Sequence, residues 1–277
     1  MNPHSQRATG LPSAVASLWS NRRLLRDLTW REISGRYRGS MLGIGWSILQ
    51  PLLMLAVYTF VFSVVFGAKW SAAGSPGNKF DFALFVFVGV LLHGVLAEAI
   101  TRAPALVVAN ANYVKKVIFP IDILPATLVG AAGFHALVAT AILLAGVVAL
   151  GGGLHWTVLW LPLLMLPLLA MSLGLAWLLA ALGVFLRDIG QVTGVLASVL
   201  MFLAPVFYPV SALPDGLEGL IYANPLTYVI EQARGVIFAG VAPEPAGLAI
   251  FYAVSLAVAQ FGYWTFQKSR HGFSDVL

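Results

Sequence analysis

Two arginines, Arg36 and Arg38, stand just before a run of about 21 residues, Trp46 to Phe66, in which the phenol of Tyr58 is the only ionisable side chain. A guanidinium at that point lies level with lipid headgroups, and its planar fork binds phosphate through paired, charge-assisted hydrogen bonds. The same two residues also suit plain headgroup anchoring. Beyond them an aromatic stripe begins. Met54, Tyr58, Phe62 and Phe66 recur every four residues, so a helix carries them on one slowly drifting face. Met201, Phe202, Pro205 and Tyr208 make a comparable stripe further along. Flat aromatic faces match the apolar C–H surfaces of sugar rings, and weak binding at many points lets a long polar chain slide, as conduction requires. Ordinary helix packing, or an aromatic belt at the membrane interface, accounts for each stripe as well.

Other chemistry is poorly supplied. No lysine follows a glycine, so the GxxxxGK[ST] phosphate loop does not occur. The chain has no cysteine, which rules out disulfides, thiol catalysis and cysteine metal sites. His4, His93, His135, His155 and His271 lack metal-ligand spacing. His93 and His135 fall within expected spans, where a hydrogen bond between helices is their ordinary role. No paired acids or cation site mark a cytoplasmic loop, which argues against acid–base or metal-assisted catalysis at the membrane surface. Ion-coupled carriers place ionisable groups near mid-membrane. The cores of the first, fourth, fifth and sixth expected spans hold no Asp, Glu, Lys, Arg or His. Whatever passes through this chain is therefore expected to be driven from outside it.

The elements that must position these residues follow from composition. Hydrophobic residues make up 60% and charged residues 10%, against about 25% charged in soluble domains, and the mean hydropathy is +0.89. The sequence reads as an all-α polytopic membrane protein. As a helix rising about 1.5 Å per residue, a run of 21 crosses the roughly 30 Å hydrocarbon core. Such runs occur at 46–66, 82–100, 123–150, 158–186, 192–210 and 246–266. Six spans put both termini in the cytoplasm. Thirteen of the sixteen lysines and arginines then lie inside, leaving Lys69, Lys79 and Arg234 outside. The net charge of +5 thus fits topology better than nucleic-acid binding. The N-terminus lacks a compact apolar core with a cleavage site, so the first span is expected to act as an uncleaved signal. Residues 1–17 read as loosely ordered. Residues 18–38 read as an amphipathic helix on the cytoplasmic surface. Its leucines (Leu24, Leu25, Leu28) oppose Trp30, Ile33 and Tyr37, which calls for a break near Thr29 or a second protein over one face. Within 213–238 two short apolar stretches split at Asn224-Pro225 are too short to span, and read as re-entrant or interfacial helices.

Five blocks carry a resemblance: WREISGRYRGSMLGIGWSILQPLLML (30–55), VKKVIFPIDILP (114–125), FLRDIGQV (185–192), FLAPVFYPVSALPDGL (202–217) and NPLTYVIEQAR (224–234). In that order they resemble the membrane subunit of ABC-2 type exporters of lipid-linked polysaccharides, closer to O-antigen and teichoic-acid exporters than to capsule exporters. The resemblance implies a permease in the bacterial inner membrane, a homodimer bound to two copies of a separate ATPase that holds the ATP and Mg. It puts the conduit along the first and fifth spans, and hence along both aromatic stripes. It puts the coupling helix at 108–118, with Asn110, Asn112, Tyr113, Lys115 and Lys116 facing the ATPase. It assigns 213–238 to a periplasmic gate, with Leu217, Tyr222, Tyr228 and Glu231. The expected function is ATP-driven export of O-antigen-like lipid-linked polysaccharide. Export of capsule or teichoic acid on the same scaffold, and an ion-coupled carrier, are the alternatives.

Overall fold

Apolar runs become long helices wherever the side chains cannot satisfy a backbone left open to lipid, since only internal hydrogen bonds are available there. The computed structural model describes residues 9–65, 81–115, 119–150, 153–210, 214, 216 and 218–277. Phe66, Lys69, Lys79, Lys116 and Leu217 lie outside these residues, as does the side chain of Lys115. The described residues are helical, with no strand among them. The helices are α1 (Leu11–Ser20), α2 (Arg22–Arg36), α3 (Trp46–Tyr58), α4 (Asp81–Ala109), α5 (Ala111–Lys115), α6 (Ile123–Ala149), α7 (Leu161–Phe185), α8 (Ile189–Leu203), α9 (Glu218–Tyr222), α10 (Pro225–Arg234), α11 (Pro245–Ser269) and α12 (Phe273–Val276). Five segments are long and apolar enough to cross a membrane: Gly43–Phe62, Asp81–Ala109, Ile123–Ala149, Trp156–Phe185 and Pro245–Val276.

The core is built on α4 and α7. In its most apolar stretch α4 is 72% buried, whereas the first span is only 6% buried. Close packing depends on small residues, as in membrane helix pairs generally. A Cβ on Gly174 of α7 would sit 2.6 Å from Ala259 Cα on α11, and one on Gly183 would collide with the carbonyl of Pro104 on α4.

Several expectations need correction. The segment 11–17, expected to be loose, is part of α1. Pro12 in its first turn favours a helix start, and the Gln260 side chain of α11 holds it by accepting from Leu11 N at 2.7 Å and donating to Thr9 O at 2.9 Å. The break in the interfacial segment falls at Asn21, not near Thr29. Thr29 instead lies in mid-helix against Gly130 of α6, so α6 covers that side and buries Ile33 and Tyr37. The second span does not stop at Ile100 but runs to Ala109. Arg102, expected in a loop, is therefore on a helix.

The expected span 192–210 is interrupted. Its helix is 15 residues long, about 22 Å, short of the roughly 30 Å hydrocarbon core. Pro205 forces its predecessor Ala204 out of helical geometry, to φ −91° and ψ 151°. The carbonyls so released are taken by Arg234, which is 3% exposed and donates to Pro205 O at 2.7 Å and Val206 O at 2.9 Å. Asn224 ties the two ends together: its Oδ1 caps the α10 N-terminus at Leu226 N, 3.0 Å, and its Nδ2 donates to Leu200 O on α8, 3.0 Å.

Candidate functional site

Just before the first span the chain turns sharply. Gly39 (φ +87°) and Gly43 (φ +50°) adopt left-handed backbone conformations that residues with a Cβ rarely adopt. This turn folds the end of α2 back over the start of α3, so Arg36 and Tyr37 face Ser47, Gln50 and Pro51. Together with α4 and α6 they line an open cavity of about 190 Å³. That exceeds by more than tenfold the roughly 10–15 Å³ one water needs, so the space is ligand-sized. Its polar end carries Arg36, Tyr37, Gln50, Glu98 and His135, and its apolar end Met54, Phe87, Val95 and Ala139.

A charge network closes the polar end. Glu98 Oε1 accepts from Arg36 Nη2 at 2.5 Å and from Arg102 Nη1 at 2.8 Å, the latter one turn along the same helix. Arg102 also pairs with Glu32 of α2. Two arginines and two glutamates thus balance. Arg36 Nη1 is 3.1 Å from His135 Nδ1. A guanidinium only donates, so Nδ1 must accept, and the proton sits on Nε2 and goes to Tyr37 Oη at 3.2 Å. The Tyr37 hydroxyl proton then remains available to a ligand. Arg38 is exposed beside this group, so of the two expected phosphate ligands one is already paired and one faces out. His93 bridges helices, with Nε2 2.9 Å from Ala197 O of α8.

From the cavity the aromatic stripe continues along the first span. Met54 lines the cavity; the Tyr58 and Phe62 rings follow with centroids 6.5 Å apart. Phe62 then stacks on Phe207 at 6.1 Å and packs on Phe82 at 5.2 Å. Phe202 is 6.0 Å from Phe207. Tyr208 donates its hydroxyl to Phe202 O at 2.8 Å. The ring meeting Phe62 is Phe207, because the unwound backbone after Leu203 shifts the side-chain phase. Met201 packs against the core on the same helix.

The remaining expected site residues divide between the two ends of the bundle. On α5, Tyr113 accepts from Arg31 of α2 at 3.1 Å and stacks on Phe119 at 4.5 Å. Asn112 is exposed, Asn110 turns its amide onto Leu106 O at 2.9 Å, and Lys115 ends the helix. At the other end Tyr228 donates to Glu244 O at 3.0 Å, Glu231 accepts from Arg234 at 3.0 Å, and Tyr222 is exposed. Sequence spacing does not point to Glu32, Glu98, Arg102 or His135 as a group. Their one visible signal is the presence of Glu98 and His135 in or beside spans otherwise poor in ionisable groups, which marks functional positions in membrane helices.

Relatives match over nearly the whole length. An O-antigen export system permease protein RfbA of Myxococcus xanthus is 28% identical over 265 residues, covering 95% of this chain and 98% of that protein. Another, of Klebsiella pneumoniae, is 25% identical over 257 residues, covering 92% and 95%. The family model described as ABC-2 type transporter matches residues 23–238. That match begins in α2, takes in the charge network and both aromatic stripes, and ends after α10. This multi-pass membrane chain is a transport component and belongs to the ABC-2 type transporter family.

Proposed function

We propose that the chain is the permease subunit of an ATP-driven exporter that moves lipid-linked, O-antigen-like polysaccharide from the cytoplasmic to the periplasmic side of the bacterial inner membrane. The observation that carries this reading is the amphipathic cavity. It has an arginine and hydroxyls at headgroup level, an apolar floor, and an aromatic stripe leading away from it through Tyr58 and Phe62. A lipid phosphate suits the first, an acyl or prenyl chain the second, and a sugar chain the third. The curated relatives named above, O-antigen export permeases, support the choice of substrate.

On this reading two copies of the chain pair through the first span, whose apolar surface is almost wholly uncovered in one copy, and enclose the conduit. The helix α8 and the unwound stretch 204–210 together make the sixth crossing. α9 and α10 are re-entrant helices at the exit, with Tyr222, Tyr228 and Glu231 at its rim. Both termini are cytoplasmic. Two copies of a separate ATPase bind ATP and Mg and push on α5, with the exposed Asn112 at the contact. The chain itself breaks no bond. Its residues bind the headgroup, guide the glycan and exclude water.

Reconstitution with the proposed ATPase partner tests the reading. Proteoliposomes holding both subunits should move a lipid-linked glycan to the far leaflet when ATP is present, and Arg36→Gln with Arg38→Gln should slow this while the complex still assembles. Transport by the chain alone, or export unchanged by the double substitution, refutes it.

A further inference from the structure

Arg36 already uses both terminal nitrogens of its fork: Nη2 donates to Glu98 and Nη1 to His135. A phosphate can take that paired edge only by displacing the carboxylate. We propose that Glu98 is an internal stand-in for the headgroup: it holds Arg36 until a lipid carrying two or more negative charges displaces it, and so sets the selectivity of the entrance. The inference rests on the reading of Arg36 as a phosphate ligand.

Three features make the exchange feasible. First, Glu98 has a second partner. Arg102, one turn away on α4, binds the same oxygen, so Glu98 is not left as an unpaired part-buried charge when Arg36 leaves. Second, the two partners differ in mobility. Arg36 is the last residue of α2 and its side chain is 35% exposed, whereas Glu98 sits in mid-helix and is 14% exposed. The arginine moves and the carboxylate stays. Third, the cavity offers donors to an incoming headgroup beyond Arg36: the Tyr37 hydroxyl proton and the Gln50 amide, with Met54 and Phe87 beneath for a chain.

Charge decides which lipids succeed. A phosphodiester carries one negative charge, as Glu98 does, and gains little by replacing it. A diphosphate carries more charge and more acceptor oxygens, and wins the fork. Bulk phospholipids are thereby kept out of an entrance that they outnumber. Glu98 acts through Arg36 and does not itself touch the lipid.

The test uses the full chain in nanodiscs of zwitterionic lipid, with farnesyl diphosphate, farnesol and dihexanoyl phosphatidylglycerol as probes and calorimetric titration as readout. The wild type should bind the diphosphate, and neither farnesol nor the phosphodiester comparably. Glu98→Gln keeps an acceptor for both arginines but removes the charge. It should tighten diphosphate binding about tenfold or more, and should bring phosphodiester binding to within tenfold of the diphosphate. Glu98→Asp, which keeps the charge but shortens the reach, should fall between, and it decides the question alone if the glutamine variant cannot be purified. If Arg36→Gln weakens diphosphate binding while neither Glu98 variant tightens it, the stand-in role is overturned and the phosphate reading of Arg36 survives. If Arg36→Gln binds the diphosphate like the wild type, or farnesol binds equally well, both fall.

Discussion

Arg234 offers the sharpest test of how the bundle is held open at its far end. It is buried, and its guanidinium reaches Phe85 O of α4 (3.0 Å), Pro205 O (2.7 Å), Val206 O (2.9 Å) and Glu231 (3.0 Å). The Phe85 ring lies 5.6 Å beneath it. Replacing it by methionine preserves most of the apolar volume and removes every donor. Hydrogen bonds between membrane helices average only about 0.6 kcal/mol, because broken partners find others. Here they do not. Pro205 and Val206 belong to unwound backbone with no ladder to rejoin, and an unpaired backbone group away from water costs several kcal/mol. Leaving a buried acceptor without a donor costs about 1–3 kcal/mol, so the two unwound carbonyls together shift the equilibrium by about thirtyfold or more. Arg234→Lys keeps a charge but not the planar fork, and should recover only part of the loss. The assay is denaturant unfolding of purified protein, paired with thiol labelling of Val206→Cys. The substitution Arg234→Met should lower the unfolding midpoint and raise labelling at position 206. If Arg234→Met unfolds like the wild type and Val206→Cys stays protected, the clamp is not what holds the unwound segment.

Three further outcomes are expected. On the first span, Tyr58→Cys and Phe62→Cys should react with a polar thiol reagent in the open, ATP-bound complex and Val57→Cys should react less, although Val57 is 51% exposed in one copy; equal protection of all three would sink the conduit assignment. At the cytoplasmic end, Asn112→Cys should crosslink to the ATPase, and Tyr113→Phe, which strips Arg31 of its acceptor, should lower glycan-stimulated ATP hydrolysis by about 2- to 10-fold, as loss of a hydrogen bond of about 0.5–1.5 kcal/mol implies; unchanged hydrolysis would show that Arg31 transmits nothing. In the core, Gly183→Ala should force α7 away from Pro104 of α4 and cost about 1–3 kcal/mol, as overpacking does, measured as a lower thermal midpoint.

The long apolar runs made much of the bundle legible. α6, α7 and α11 begin and end within a few residues of the polar breaks, because lipid tolerates no other backbone there. What hydropathy could not register was the end of α8: Ala204–Val210 is as apolar as the helix before it, and only Pro205 and Pro209 mark the interruption. The helical phase is lost at that point, and the ring that meets Phe62 there is that of Phe207. In α1, Pro12 signals a helix start, but the anchor, Gln260, lies about 250 residues away in sequence. The charge network was out of reach for the same reason. Arg36 is 62 residues from Glu98 and 99 from His135, and nothing short of the packing of α2 on α4 and α6 makes them neighbours. A lone arginine before a span looks free; here its partner is on another helix.

One helix joins α5 to the mouth of the cavity. Within a few residues α2 presents Arg31 to Tyr113 of α5, Glu32 to Arg102 of α4, and Arg36 to Glu98 and His135 at the cavity. A helix of 15 residues spans about 22 Å and transmits displacement as a rigid body, so a push on α5 would reach the cavity mouth through α2. That arrangement fits the proposed driven conduit, and on this proposal linkage works in both directions. If docking of the proposed ATPase on α5 alters the hold of Arg36 on Glu98, a headgroup that takes Arg36 must alter docking by the same factor, since coupling between two binding equilibria is reciprocal. On this proposal an occupied entrance should report itself to the ATPase through Arg31 and Tyr113, and raise hydrolysis. Severing either contact, at Tyr113 or at Glu32, should leave headgroup binding and ATPase docking individually intact and abolish the dependence of one on the other.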